Sequence, residues 1–121
     1  MHYLLLILAL VLNALANILI KIGALKMQNL SSLSKGEIAV NLITNHFLII
    51  GVLLFAMNVV FYFLALTKIN LSVAYPIMTS GGFLLITIFS VLYLRESLTL
   101  LQVMGIILIA LGIFFIAYHL K

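Results

Sequence analysis

Polar residues break this chain at three places, and the four apolar runs they separate are each long enough to cross a bilayer. The runs extend from Tyr3 to Ala24, His46 to Leu66, Leu71 to Tyr93 and Leu98 to Tyr118. A helix rises about 1.5 Å per residue, so about 20 apolar residues match a hydrocarbon core of about 30 Å. The runs are continuous rather than alternating, and backbone polar groups in lipid must be satisfied within the structure. Helices are therefore predicted, not a barrel. The connections Thr67-Lys68-Ile69-Asn70 and Leu94-Arg95-Glu96-Ser97 are short enough to make the helices on either side antiparallel neighbours.

The first connection is longer. Gln28-Asn29-Leu30-Ser31-Ser32 reads as loop, and Ser34-Lys35-Gly36-Glu37 has the spacing of a capping box. Ile38, Leu42 and Ile43 then share one face, which predicts a short amphipathic helix in the interface, leading into the second span. The expected fold is an all-α membrane protein with four transmembrane helices and one interfacial helix between the first two. Residues 1–121 are expected to form a single transmembrane domain. The first run lacks a small-residue cleavage site after a short core and carries Lys21 near its far end, so it is expected to be a retained span, not a signal peptide.

Composition narrows the function. Hydrophobic residues make up 67% of the chain and charged residues 7%, against about 25% charged in soluble domains. The absence of cysteine excludes disulfides, thiolate metal sites and cysteine nucleophiles. His2, His46 and His119 fall at predicted boundaries and read as interfacial residues, so no metal site and no cofactor are expected. The net charge of +4 comes from scattered Lys and Arg, which suits anionic headgroups better than nucleic acid. Lys26, Lys35 and Arg95, with Lys21 if it snorkels, lie on one side, against Lys68 and Lys121 on the other. The positive-inside rule then favours termini outside, with dual insertion left open.

The candidate chemistry lies in the polar residues within the spans. Asn13, Asn17 and Lys21 recur every four residues on one stripe of helix 1, flanked by Ala9, Ala16 and Ala24. Such a stripe either bonds a neighbouring helix or lines a cavity. Lys21 either snorkels to the headgroups or turns inward to hold an anionic group such as a phosphate. Asn58 and Tyr62 repeat the four-residue spacing in the second span, and Tyr75 and Thr79 in the third. Pro76, Gly81 and Gly82 weaken the third helix, for close backbone packing or for a bend. Gly105 and Gly112 share a face of the fourth and predict an oligomer contact. There is no nucleophile–base pair, carboxylate pair or phosphate-binding glycine loop, so no catalytic residue is assigned and no enzyme is expected.

The segment Leu94-Arg95-Glu96-Ser97-Leu98-Thr99, followed by Gly105-Ile106-Ile107-Leu108-Ile109-Ala110-Leu111-Gly112, resembles the C-terminal end of EamA-like domains of the drug/metabolite transporter superfamily. Ile69-Asn70-Leu71-Ser72-Val73-Ala74-Tyr75-Pro76 extends the resemblance, and Asn17-Ile18-Leu19-Ile20-Lys21 fits it more weakly. Two groups of single four-helix chains are relevant. Small multidrug resistance proteins are dimeric, proton-coupled exporters of cations that use a glutamate in helix 1. Asn13 occupies that register here and Met78 stands where that family has a tryptophan, although Tyr75 and Gly82 keep their places. Flippase subunits for aminoarabinose linked to undecaprenyl phosphate are closer, in Ala74-Tyr75-Pro76, in lacking the glutamate and in a longer, basic first connection.

This resemblance implies a transporter subunit in the bacterial inner membrane that moves a lipid-linked sugar or related polyprenyl phosphate. Its partners would be membrane lipids and a second four-helix chain, as homodimer or heterodimer, without nucleic acid. Lys21 and Arg95 would meet the phosphate, unless Arg95 and Glu96 form an ordinary turn pair. Asn13, Asn17, Asn58, Tyr62, Tyr75 and Thr79 would offer hydrogen bonds to the sugar. Without a nucleotide motif, energy would come from a gradient or from consumption of the lipid. The alternatives are proton-coupled export of small cations and a non-transporting partner subunit.

Overall fold

The computed structural model describes residues 1–27 and 30–118. Gln28 and Asn29 of the expected loop, and His119 and Lys121 of the expected boundary and charge balance, lie outside the described residues. The elements are α1 (His2–Leu25), a 3-10 turn (Leu30–Ser32), α2 (Lys35–Thr44), α3 (His46–Leu66), α4 (Leu71–Leu92) and α5 (Leu100–Tyr118). α1, α3, α4 and α5 are long and apolar enough to span a membrane. The protein is therefore a multi-pass helical membrane protein, as its apolar runs predict.

Side-chain caps fix the helix boundaries. The Ser34 backbone N–H donates to Glu37 Oε2 at 2.8 Å, and Ser34 Oγ accepts from the Glu37 N–H at 3.4 Å, completing the expected capping box on α2. α5 starts later than the expected Leu98, because Thr99 and Gln102 build a second reciprocal cap. Thr99 N–H donates to Gln102 Oε1 at 2.8 Å, and Thr99 Oγ1 accepts from Gln102 N–H at 3.3 Å. Asn45 ends α2 and starts α3: Oδ1 accepts from Leu48 N–H at 3.2 Å while Nδ2 donates to the Gly23 carbonyl at 2.9 Å. That amide ties the last turn of α1 to the first turn of α3.

α1 is the central helix, packed against α3 on one side and α4 on the other. Besides Ala14, its buried small residues are Ala9, Ala16 and Gly23, spaced by seven, facing Gly51, Asn58 and Ala65 at the same spacing on α3. Ala24, expected beside the polar stripe, is exposed; Gly23 takes the buried place. A Cβ on Gly51 would come within 2.8 Å of Ile20 Cγ1 and 3.0 Å of the Ala16 carbonyl oxygen. A Cβ on Gly23 would meet Asn45 Oδ1 at 3.0 Å and Leu48 N at 3.2 Å, so α1 and α3 run antiparallel. At one end Leu6, Ala65, Ile69 and Ala74 form the apolar cluster joining α1, α3 and α4.

α4 runs parallel to α1 and unbroken through Pro76. Gly81 lies against Leu10, and a Cβ on Gly82 would sit 2.9 Å from Asn13 Nδ2. The paired glycines thus make room for side chains of α1 rather than for its backbone. α5 packs chiefly on α4 and has no buried residue.

Gly51→Val should cost about 1–3 kcal/mol by overpacking the α1–α3 seam, read as a lower Tm in detergent. Gly36→Ala meets nothing within 4 Å and should instead slow amide exchange in α2, where Ala outranks Gly by about 0.5–1 kcal/mol.

Candidate functional site

The polar stripe of α1 ends in a cleft. At that end Lys21 Nζ lies 3.3 Å from Glu96 Oε1, with both side chains about half exposed. Glu96 is held by the last turns of α4: its carboxylate accepts from the Ser90 hydroxyl, and its N–H donates to the Ser90 carbonyl at 3.2 Å. Arg95 makes this possible by taking φ = 55°, a left-handed conformation uncommon outside glycine that folds the connection back on α4. The cleft, about 220 Å³, is lined by Asn17, Ile18 and Lys21 of α1, by Ile86, Phe89 and Ser90 of α4, and by Leu94 and Glu96. The Ser90 hydroxyl first and the Lys21 ammonium second hold the Glu96 carboxyl below the ordinary carboxylate range.

Asn17 and Lys21 therefore reach one cavity, with Ser90 and Glu96 as partners that inspection of the spans did not select. Nothing at position 95 announced the fold-back, since glycine or asparagine is the usual sign of positive φ. Asn13 joins the stripe indirectly: Asn17 Nδ2 donates to its carbonyl at 2.8 Å and to its Oδ1 at 3.3 Å. Arg95 is exposed and outside the cleft lining, and Glu96 pairs across to Lys21 rather than with its neighbour in the turn.

Asn58 is buried at 1% exposure, at a level on α3 that the α1–α3 register sets opposite Ala9 to Asn13. Neither of its amide atoms has a hydrogen-bond partner among the described residues, nor does the Tyr62 hydroxyl one turn on. Tyr75 and Thr79 are exposed, and the Thr79 hydroxyl donates back to the Tyr75 carbonyl at 2.8 Å. At about 3.6 residues per turn they share a stripe of α4 with Ile86 and Ser90, but the cleft lining includes neither Tyr75 nor Thr79. Gly105 borders a groove between α4 and α5, and Gly112 is exposed; a Cβ on either meets nothing within 4 Å.

The cleft thus brings one amide, one hydroxyl, one lysine and one carboxylate together beside a parallel helix pair. The chain belongs to the EamA-like transporter family, whose pattern it matches over residues 4–118. It is also 36% identical over 67 residues to the uncharacterized protein y4nH of Sinorhizobium fredii (strain NBRC 101917 / NGR234). That match covers 55% of this chain and 57% of the relative, so the chain aligns with little more than half of that protein. No solved structure matches the chain.

A carboxyl with a depressed folded pKa supports the structure above its unfolded value and loses that support as pH falls through the folded one. Wild type should therefore be more thermally stable than Glu96→Gln at neutral pH, with the gap closing as pH falls below about 4.3. A gap that persists in stronger acid would mean that charge on Glu96 contributes nothing.

Proposed function

We propose that the protein is a flippase subunit that moves a lipid-linked sugar, such as aminoarabinose on undecaprenyl phosphate or a related polyprenyl-phosphate lipid, across the bacterial inner membrane. The observation that carries this reading is the cleft at Lys21. Its ammonium faces a half-exposed carboxylate that an incoming phosphate can replace, with the Asn17 amide and Ser90 hydroxyl beside it. An anion there is attracted by Lys21 once Glu96 moves aside, and the amides and hydroxyls along α1 and α4 suit a sugar. Asn13 supplies no charge at mid-helix to hold a cation, and the one carboxylate in the cleft, Glu96, is already paired with Lys21, which disfavours the multidrug-type alternative.

Translocation needs a second shape. Asn58 supports one: a buried amide without partners costs about 1–3 kcal/mol, and parting α1 from α3 would let it bond a sugar, together with Tyr62 and Asn13. Pro76, Gly81 and Gly82 are the positions where α4 bends in that exchange. Arg95, exposed at the same end, meets the phosphate on approach. α5, none of whose residues is fully buried, presents its exposed Gly112 towards a second copy or a related four-helix subunit, while Gly105 of the expected contact turns to the α4–α5 groove.

Reconstituted vesicles carrying a fluorescent polyprenyl-phosphate sugar test the reading. Lys21→Ala should slow flipping at least about tenfold, the equivalent of 1.4 kcal/mol; flipping at the wild-type rate would refute the role given to the lysine. Asn58→Leu should raise Tm, by removing an unsatisfied amide, and yet slow flipping. Slower flipping with an unchanged or lower Tm would assign the residue to packing alone.

A further inference from the structure

The Lys21 cleft has a larger neighbour. Between α4 and α5 runs a groove of about 470 Å³, bounded by Phe83 and Thr87 on one helix and by Gly105, Ile106 and Ile109 on the other. Ile86, Ser90 and Glu96 line both the groove and the cleft. One wall is therefore shared, and the Ser90–Glu96 hydrogen bond stands as the threshold between a compartment with a cationic group and one that is mainly apolar. Gly105 faces open space, where a Cβ would meet nothing within 4 Å, so a long side chain there has room to extend into the groove.

An amphiphile whose headgroup sits at Lys21 must lead its tail back to lipid without passing through a helix. We infer that the α4–α5 groove seats the hydrocarbon tail of the amphiphile whose anionic headgroup occupies the Lys21 cleft. This rests on the cleft taking such a headgroup, as proposed above. Lipid is as apolar as the groove walls, so the tail gains no hydrophobic free energy by entering. The groove acts sterically: it lets the headgroup leave the interface while the tail stays among hydrocarbon. It belongs to this pair of helices because α1 meets α3 and α4 at small residues and in close contact, whereas no residue of α5 is fully buried.

The test uses the full chain in nanodiscs of zwitterionic lipid, with hexadecyl phosphate carrying a photoreactive diazirine in mid-tail. Labelling should concentrate on the α4 and α5 peptides that form the groove. Excess hexadecyl phosphate should chase it, and hexadecanol should not. Gly105→Leu and Thr87→Leu, which narrow the groove from opposite walls, should each remove most of the label. Ile107→Phe, on the far side of α5, should keep it. Butyl phosphate, a headgroup with almost no tail, should bind wild type and Gly105→Leu alike by phosphorus NMR, which also reports that the variant is folded. Even labelling of all lipid-facing helices overturns the proposal, as does groove labelling that survives Lys21→Gln. Labelling that depends on Lys21 but falls on α1 or α3 overturns the groove and leaves the headgroup cleft standing. Butyl phosphate binding that ignores Lys21→Gln would overturn the cleft itself.

Discussion

Helices already in lipid gain no hydrophobic free energy from meeting one another, so they associate where small residues let backbones come close. In this protein that constraint is met on α1. Ala9, Ala16 and Gly23 face Gly51, Asn58 and Ala65 of α3, and Leu10 and Asn13 lie against Gly81 and Gly82 of α4. These two tight seams make α1 the axis of the molecule. They also fix its polar stripe against α4, because the residue facing Gly82 is Asn13, and the next turns along bring Asn17 to Ile86 and Lys21 to Ser90. The position of the cleft follows from that register. α5, lacking such a seam, packs on α4 without fully burying a residue and leaves the groove beside it.

Charge is arranged differently from apolar packing. One end of the α1–α4 pair is closed by Lys21, Glu96 and Ser90, three residues supplied by two helices and a connection. Half-exposed ion pairs contribute little to stability, so this contact parts at small cost. A fully buried lysine–carboxylate pair would be far harder to part.

Asn58 is the counterpart in the interior. A leucine would fill the same seam without leaving amide atoms unbonded, so a chain selected only for packing of this state has no use for it. Its level, opposite Ala9 to Asn13 and one turn from Tyr62, puts polar capacity at mid-depth that this arrangement of helices leaves idle.

Much of the architecture was legible in the residues alone, because its causes are local or set by the solvent. Run length against bilayer thickness dictates four spans. The Ser34–Glu37 spacing dictates the start of α2, and the same logic at Thr99–Gln102 moves the start of α5 past Leu98. The four-residue recurrence of Asn13, Asn17 and Lys21 marks a polar face whatever lies beside it. What lies beside it was decided only by tertiary structure. No periodicity says that Glu96 reaches Lys21 rather than pairing with Arg95, because that depends on a left-handed arginine and on the α1–α4 register. Nor does spacing distinguish Gly23, buried under Asn45, from its exposed neighbour Ala24. Short-range sterics and the bilayer choose the helices; which faces meet is settled by long-range contacts, whose partners are far apart in the chain.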